Sequence, residues 1–157
     1  MAVVLYRIDD RLIHGQVVIG WGQPLGARFI ALVDDQVSAS DWERDLYRMG
    51  VPSDVEVVFA SVAEASRLMP KWRADPRRGI VLTADIATMA ALGQLSPPIE
   101  RVNLGGLHHR PGRSPKLTYV YLSDDELEAL ERMQASGIEV QAQDLPSTAP
   151  VPLEALR

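Results

Sequence analysis

Short apolar runs of strand length alternate with helix-patterned segments along the whole of this chain, and that alternation admits few architectures. The runs are Val3–Ile8, Phe29–Val33, Val55–Phe59, Gly79–Leu82, Ile99–Leu104, Leu117–Leu122 and Ile138–Gln143. Several are nearly continuous in Val, Ile, Leu and Ala, the pattern of strands buried on both faces, as in parallel sheets. Helical patterns fill most of the gaps. Gln16–Gln23 follows the first run, and Ser38–Met49 spaces Trp42, Leu46 and Met49 by four and three. Ser61-x-x-Glu64 opens a helix predicted to run to Leu68, and Ala84–Leu92 is alanine-rich. Ser123-x-x-Glu126 opens another, with Leu127, Leu130 and Met133 as its stripe and Gly137 where a terminating glycine belongs. The expectation is an α/β fold: an open, mostly parallel, seven-stranded twisted sheet with helices on both faces and one domain over residues 1–157. No helix is expected to leave an apolar stripe exposed, so a homo-oligomer is allowed but not compelled. The proline-spaced tail, Leu145-Pro146 to Pro150-Val151-Pro152, is expected to run extended over the surface. The long loop Gly105–Lys116 is a candidate for function.

Composition removes several functional classes. Nothing approaches the roughly 18 apolar residues of a membrane span, and the start lacks the basic and apolar regions of a secretory signal. With no cysteine there is neither a disulfide framework nor a thiolate metal site, and a cytoplasmic location follows as the expectation. A net charge of −5, with 16 scattered basic residues, argues against nucleic acid. No P-loop is present, and Gly20-Trp21-Gly22-Gln23-Pro24-Leu25-Gly26 has neither the spacing nor the preceding strand of a dinucleotide loop, so no cofactor is expected.

The chemistry concentrates after the first strand, in Arg7-Ile8-Asp9-Asp10-Arg11-Leu12-Ile13-His14-Gly15-Gln16-Val17. Loops at the carboxyl ends of parallel strands are where ligands gather in such sheets. His14 can carry a phosphoryl group or a proton, Arg11 can hold phosphoryl oxygens with its fork, and Asp9 or Asp10 can fix the imidazole tautomer. Gly15 permits close approach just where a helix begins. The alternative is a loop histidine placed for structural reasons. Asp9-Asp10 also suits a phosphoaspartate receiver, but that fold needs an acid after the third strand, where Phe59-Ala60-Ser61 stands, and a lysine after the fifth, where Asn103-Leu104-Gly105-Gly106 stands. Asn103, Gly105 and Gly106 can instead contribute backbone amides to a phosphate cradle, or form a turn that only glycine allows. His108-His109 lacks further ligands for a metal site, so none is expected, although His108 lies on the same sheet edge as His14. Asp34-Asp35 either faces that crevice or charges a helix start.

The string Arg7 to Val17 resembles the signature of the IIB subunits of the mannose/fructose/sorbose family of the bacterial phosphoenolpyruvate-dependent sugar phosphotransferase system. Asn103-Leu104-Gly105-Gly106-Leu107-His108, followed by Gly112 and Leu117 to Leu122, is similar to the family's second motif, and Leu145 to Leu153 to its tail. The resemblance spans the whole chain. It implies that His14 is phosphorylated on Nδ1 by a phosphohistidine of a IIA protein and passes the group to a sugar presented by a membrane IIC/IID complex. It implies Arg11 as the transition-state arginine, Asp9 or Asp10 as the imidazole partner, and Gln16 and His108 beside the phosphate or the partner. The alternative role is regulatory: a phosphohistidine that reports flux to a partner without moving sugar. The family commonly reads Val-Asn-Asp-Glu where this chain has Val33-Asp34-Asp35-Gln36. The loop His109-Arg110-Pro111-Gly112-Arg113 is expected to offset the added charge of Asp34 or to dock an acidic partner surface.

Overall fold

A computed structural model describes residues 2–94 and 98–157. The strands are β1 (Val3–Ile8), β2 (Phe29–Val33), β3 (Glu56–Ala60), β4 (Gly79–Thr83), β5 (Arg101–Leu104), β6 (Ser114–Leu117), β7 (Val120–Leu122), β8 (Glu139–Ala142) and β9 (Val151–Pro152). The main sheet is seven-stranded in the order β3-β2-β4-β1-β5-β8-β9, all parallel except β9. Period-two alternation divides each central strand between two cores. Phe29, Ala31, Val33 and Val81 point to one face, while Ile30, Leu32, Ile80 and Leu82 point to the other. This double burial is why β2 and β4 read as unbroken apolar runs.

Helices cover both faces. The first is α1, a π-wound segment Gln16–Gly22 continued by an α-helical turn Gln23–Leu25. Its Val17, Val18 and Trp21 pack on the face of Ile30 and Leu82, beside Val37 from α2 (Asp35–Ser38). The opposite face carries α4 (Val62–Ala74), α5 (Ile86–Leu92) and α6 (Asp124–Ala135), through Met69, Trp72, Met89, Leu130 and Met133. Capping boxes open α4 at Ser61/Glu64 and α6 at Ser123/Glu126, as their spacing predicts. Gly79 lies under the Phe29 ring, which a Cβ there would strike.

Five expectations need correction. The run Leu117–Leu122 contains no main-sheet strand: it folds back as the β6–β7 hairpin, a separate two-stranded sheet. The seventh place is taken by the tail, whose Val151–Pro152 pairs with β8 while Leu153 and Leu156 bury beneath it. A proline is tolerated there because β9 is an edge strand. Ser38–Met49 is two helices, since Ser40 leaves helical backbone to cap α3 (Asp41–Met49). The stripe of α3 then faces outward, with Trp42 70%, Leu46 54% and Met49 82% exposed. Finally, α4 runs six residues past Leu68, through Pro70, because Met69 and Trp72 beyond it are core residues.

The sheet order places the site. From β1 the chain moves to β2 on one side, and from β4 it crosses over β1 to reach β5 on the other. The carboxyl end of β1 thus lies where the strand order reverses, the crevice in which such sheets bind ligands.

Candidate functional site

The loop after β1 is pinned to both neighbouring strand ends. Asp9 N donates to Thr83 O at 2.9 Å, Asp10 N to Gly106 O at 2.9 Å, and Gly105 N to Ile8 O at 2.7 Å. The loop then turns sharply. Leu12 N donates to Asp9 O at 2.9 Å, and Arg11 N to Asp9 Oδ1 at 3.2 Å. Leu12 takes φ +58°, left-handed backbone that costs an L residue about 1–2 kcal/mol. Burial of Leu12 and Ile13 in the core below holds the turn in that state and lifts His14 to the rim. The π-wound start of α1 follows, an irregularity often found at functional sites. The space beside Gly15 is open: a Cβ added there would meet nothing within 4 Å.

Asp9 is the hub. Its Oδ2 lies 3.2 Å from His14 Nε2, within ion-pair reach but off the line of a good hydrogen bond, and Nε2 is buried with no other partner. The ring is thus turned with Nε2 inward, toward the buried carboxylate. Behind Asp9 stands Arg7, fully buried, with Nη2 3.4 Å from Asp9 Oδ2. Burial alone would raise the Asp9 pKa, but contact with His14 and the Arg7 charge outweigh it and hold the carboxyl below its ordinary range. Burial likewise pulls the Arg7 guanidinium down, against the opposing pull of Asp9. Arg7 also bonds Asn103 Oδ1, donates to Gln143 O at 2.9 Å and Asp144 O at 3.3 Å, and stacks 4.9 Å over the Trp21 ring.

The sign of the pH dependence follows from the depressed Asp9 value. The stabilisation from ionised Asp9 is complete above the unfolded-state value of about 4 and is lost as pH falls through the lower folded value. The stability difference between wild type and Asp9→Asn, read by urea melts, should thus be flat from pH 7 to about 5 and shrink only below about 4. A difference that fades already near neutrality would contradict this.

Asp10 has a different task from Asp9. Its Oδ1 meets His108 Nδ1 at 2.6 Å and its Oδ2 accepts from His108 N at 2.8 Å, which ties the long second loop to the first. Arg113, expected in part to meet a partner, is spent internally: it forks onto Glu126 at 2.8 and 2.7 Å and donates to His108 O at 2.8 Å. His109 packs edge-on against Tyr121, with ring centres 5.7 Å apart.

Other candidates take structural places. Asp34 Oδ2 accepts from Val37 N at 2.9 Å and so caps α2, while Asp35 Oδ1 accepts from Val62 N at 2.9 Å. The amides of Gly105 and Gly106 are engaged, the first by Ile8 O and the second by Asp9 Oδ2 at 3.3 Å. A Cβ on Gly105 would collide with the Arg7 guanidinium. Gly105→Ala is therefore expected to cost about 1–3 kcal/mol, the usual range for overpacking, and to disturb Asp9 through Arg7. A urea melt measures the first, and an unchanged midpoint would show that Arg7 has room to move.

Residues that sequence reasoning did not single out are Arg7, Trp21, Gln143 and Asp144. Arg7 left a signal, a charge inside an otherwise apolar strand, which burial makes costly unless it is paired. Asp144 left none, because only the fold of the tail brings it to the loop.

The family model described as PTS system sorbose subfamily IIB component matches residues 3–156. The chain is 28% identical over 149 residues to the PTS system fructose-specific EIIB component of Bacillus subtilis, covering 95% of this chain and 91% of that one. It is 30% identical over 150 residues to the PTS system mannose-specific EIIAB component of Escherichia coli K12, covering 96% of this chain but only 46% of that protein. Its structure is similar to the crystal structure of the IIBSor domain of the sorbose permease from Klebsiella pneumoniae, with a TM-score of 0.89, 26% identity, and coverage of 99% and 96% of the two chains.

Proposed function

This chain belongs to the sorbose subfamily of phosphotransferase-system IIB components, and on that premise we propose that it is a phosphocarrier working through His14. The observation that carries the reading is the orientation of His14: Nε2 is buried 3.2 Å from Asp9, which assigns Nδ1 to the phosphoryl group. In the first step the Nδ1 lone pair attacks the phosphorus of a phosphohistidine on a IIA protein. The donor's N–P bond breaks as the new one forms, and the donor imidazole leaves. Attack needs an unprotonated Nδ1, and a carboxylate facing Nε2 favours the tautomer that keeps the proton there. In the second step a sugar hydroxyl, presented by a membrane IIC/IID complex, attacks the same phosphorus. The N–P bond breaks, its electron pair returns to Nδ1 so that His14 is regenerated, and the hydroxyl proton passes to solvent. Phosphohistidine thus splits one transfer into two.

Arg11 supplies the charge. Its side chain is 47% exposed at the rim, with Nε 3.9 Å from Asp9 Oδ1 and Nη2 3.2 Å from Gln16 Oε1, contacts weak enough to be exchanged for phosphoryl oxygens. Asp9 positions the imidazole. Asp10, with His108, holds the second loop against the first; Asn103, Gly105 and Gly106 support Arg7 and Asp9. Gly15 leaves space for the group, and Gln16 engages Arg11. A fused IIAB relative supports a IIA protein as donor. Among the described residues no helix is long and apolar enough to cross a membrane. As a IIB component, the chain meets its membrane partners from the cytoplasm in this reading.

The test is to mix the chain with phosphoenolpyruvate, the general phosphotransferase proteins and a mannose-family IIA, then follow intact mass at neutral to alkaline pH. One phosphate on His14 is the expected result. No phosphate on a folded chain, with a donor shown to be active, would overturn the reading.

A further inference from the structure

Asp144 lies far along the sequence from the signature loop, yet the tail folds it against that loop. Its backbone is fixed first: Asp144 O accepts from Trp21 Nε1 at 3.0 Å and from Arg7 Nη2 at 3.3 Å. With the main chain anchored, its side chain reaches the start of α1, where Asp144 Oδ1 accepts from Gln16 Nε2 at 2.8 Å. The other end of the same amide, Gln16 Oε1, accepts from Arg11 Nη2 at 3.2 Å.

This three-membered chain has a direction that chemistry enforces. A carboxylate only accepts hydrogen bonds and a guanidinium only donates them. A glutamine amide between the two satisfies both in one orientation, with NH₂ toward Asp144 and the carbonyl toward Arg11. If the amide turned over, its carbonyl would meet the carboxylate and its NH₂ the guanidinium. An exposed arginine side chain otherwise samples many rotamers, and fixing it carries an entropic cost at the moment of reaction.

From this geometry, and resting on the reading of His14 and Arg11 given above, we infer that Asp144 is a positioning residue: through the Gln16 amide it holds the Arg11 guanidinium at the mouth of the site before the phosphoryl group arrives. Asp144 touches no reacting atom. Its carboxylate does not approach the phosphorus to compensate charge; it fixes an orientation, and Arg7 at its backbone offsets its own charge. A link of hydrogen bonds that can be remade also lets Arg11 leave Gln16 for phosphoryl oxygens without breaking a strong ion pair.

The experiment is a double-variant cycle read by single-turnover phosphoryl transfer from phosphorylated IIA. Asp144→Ala keeps the backbone bonds to Trp21 and Arg7. It should slow transfer roughly fivefold to tenfold, the worth of one orienting hydrogen bond, while apparent donor affinity stays the same. Gln16→Ala should slow transfer similarly, and adding Asp144→Ala to Gln16→Ala should slow it no further. Asp144→Asn, which keeps an acceptor but not the charge, should recover most of the loss. Equal slowing by Asp144→Ala in the wild-type and Gln16→Ala backgrounds would overturn the proposal, as would an unchanged or faster rate in Asp144→Ala. A second readout needs no phosphate. The NMR order parameter of the Arg11 side-chain N–H should fall in Asp144→Ala. If wild type itself accepts no phosphate, the functional reading fails, and this order parameter still decides whether Asp144 positions Arg11.

Discussion

Replacing His14 by alanine is expected to abolish phosphoryl acceptance altogether while the protein remains folded. The first half follows from chemistry. The chain has 3 histidines and no cysteine. Of the histidines, His108 has Nδ1 engaged by Asp10 and His109 packs edge-on against Tyr121, whereas His14 turns Nε2 onto the buried Asp9 carboxylate in the loop that also carries Arg11. The second half follows from the surroundings. His14 sits at the rim with its side chain 16% exposed, and the loop is held from beneath by Leu12 and Ile13. Loss of the imidazole does not strand the Asp9 carboxylate, because Arg7 remains behind it and the amides of Arg11 and Gly106 still donate to it. Removal of one partner of a buried charge is costly only when nothing else compensates. Intact mass after incubation with phosphorylated IIA reads the first half and a urea melt the second. Phosphate still found on His14→Ala would move the acceptor to another residue, with exposed His108 the first to map.

Much of this arrangement can be read in the sequence, for reasons that also mark where such reading stops. Strand–helix alternation and continuous apolar runs such as Phe29–Val33 specify a two-sided parallel sheet because both faces of the same strand must be apolar. Ser61/Glu64 and Ser123/Glu126 announce helix starts because the capping box is a local structure with local causes. The string from Arg7 to His14 is legible as a site because its parts lie close in sequence. Where the reading fails, the causes differ. Leu117–Leu122 has the composition of a sheet strand, but residues before it pair with it locally and the tail takes the remaining edge. That edge belongs to Val151–Pro152, a two-residue strand containing proline, too short for any strand pattern to announce it. In α3 the spacing of Trp42, Leu46 and Met49 marks one face correctly, yet periodicity does not say whether that face turns inward. Asp9 and Asp10 look equivalent in sequence; only the fold sends Asp9 inward to Arg7 and His14 and Asp10 sideways to His108. Asp144 joins the site by tertiary folding alone.

Arg11→Ala is expected to slow phosphoryl transfer by about 10³-fold with little loss of stability. Phosphoryl transfer passes through a loose transition state with charge spread over three equatorial oxygens, and an arginine delivered to that charge is worth about 10³ or more in rate. In the resting protein, by contrast, Arg11 makes only rim contacts, 3.2 Å to Gln16 Oε1 and 3.9 Å to Asp9 Oδ1. A half-exposed pair of that kind contributes about 0–1 kcal/mol. Asp9 keeps its buried counter-ion, Arg7, when Arg11 is removed. The two arginines therefore divide the work: Arg7 stabilises the carboxylate that orients His14, and Arg11 is held in reserve for the phosphoryl group. A residue whose interaction forms only in the transition state lowers the rate of the chemical step and leaves binding of the phosphorylated donor nearly untouched. Rapid-quench single turnovers at several donor concentrations separate the two, and the loss should fall on the limiting rate. Arg11→Lys should recover only part of it, because an ammonium brings the charge without the planar fork that grips two oxygens at once. An unchanged limiting rate in Arg11→Ala would remove Arg11 from the chemistry and leave the helix start to carry the developing charge.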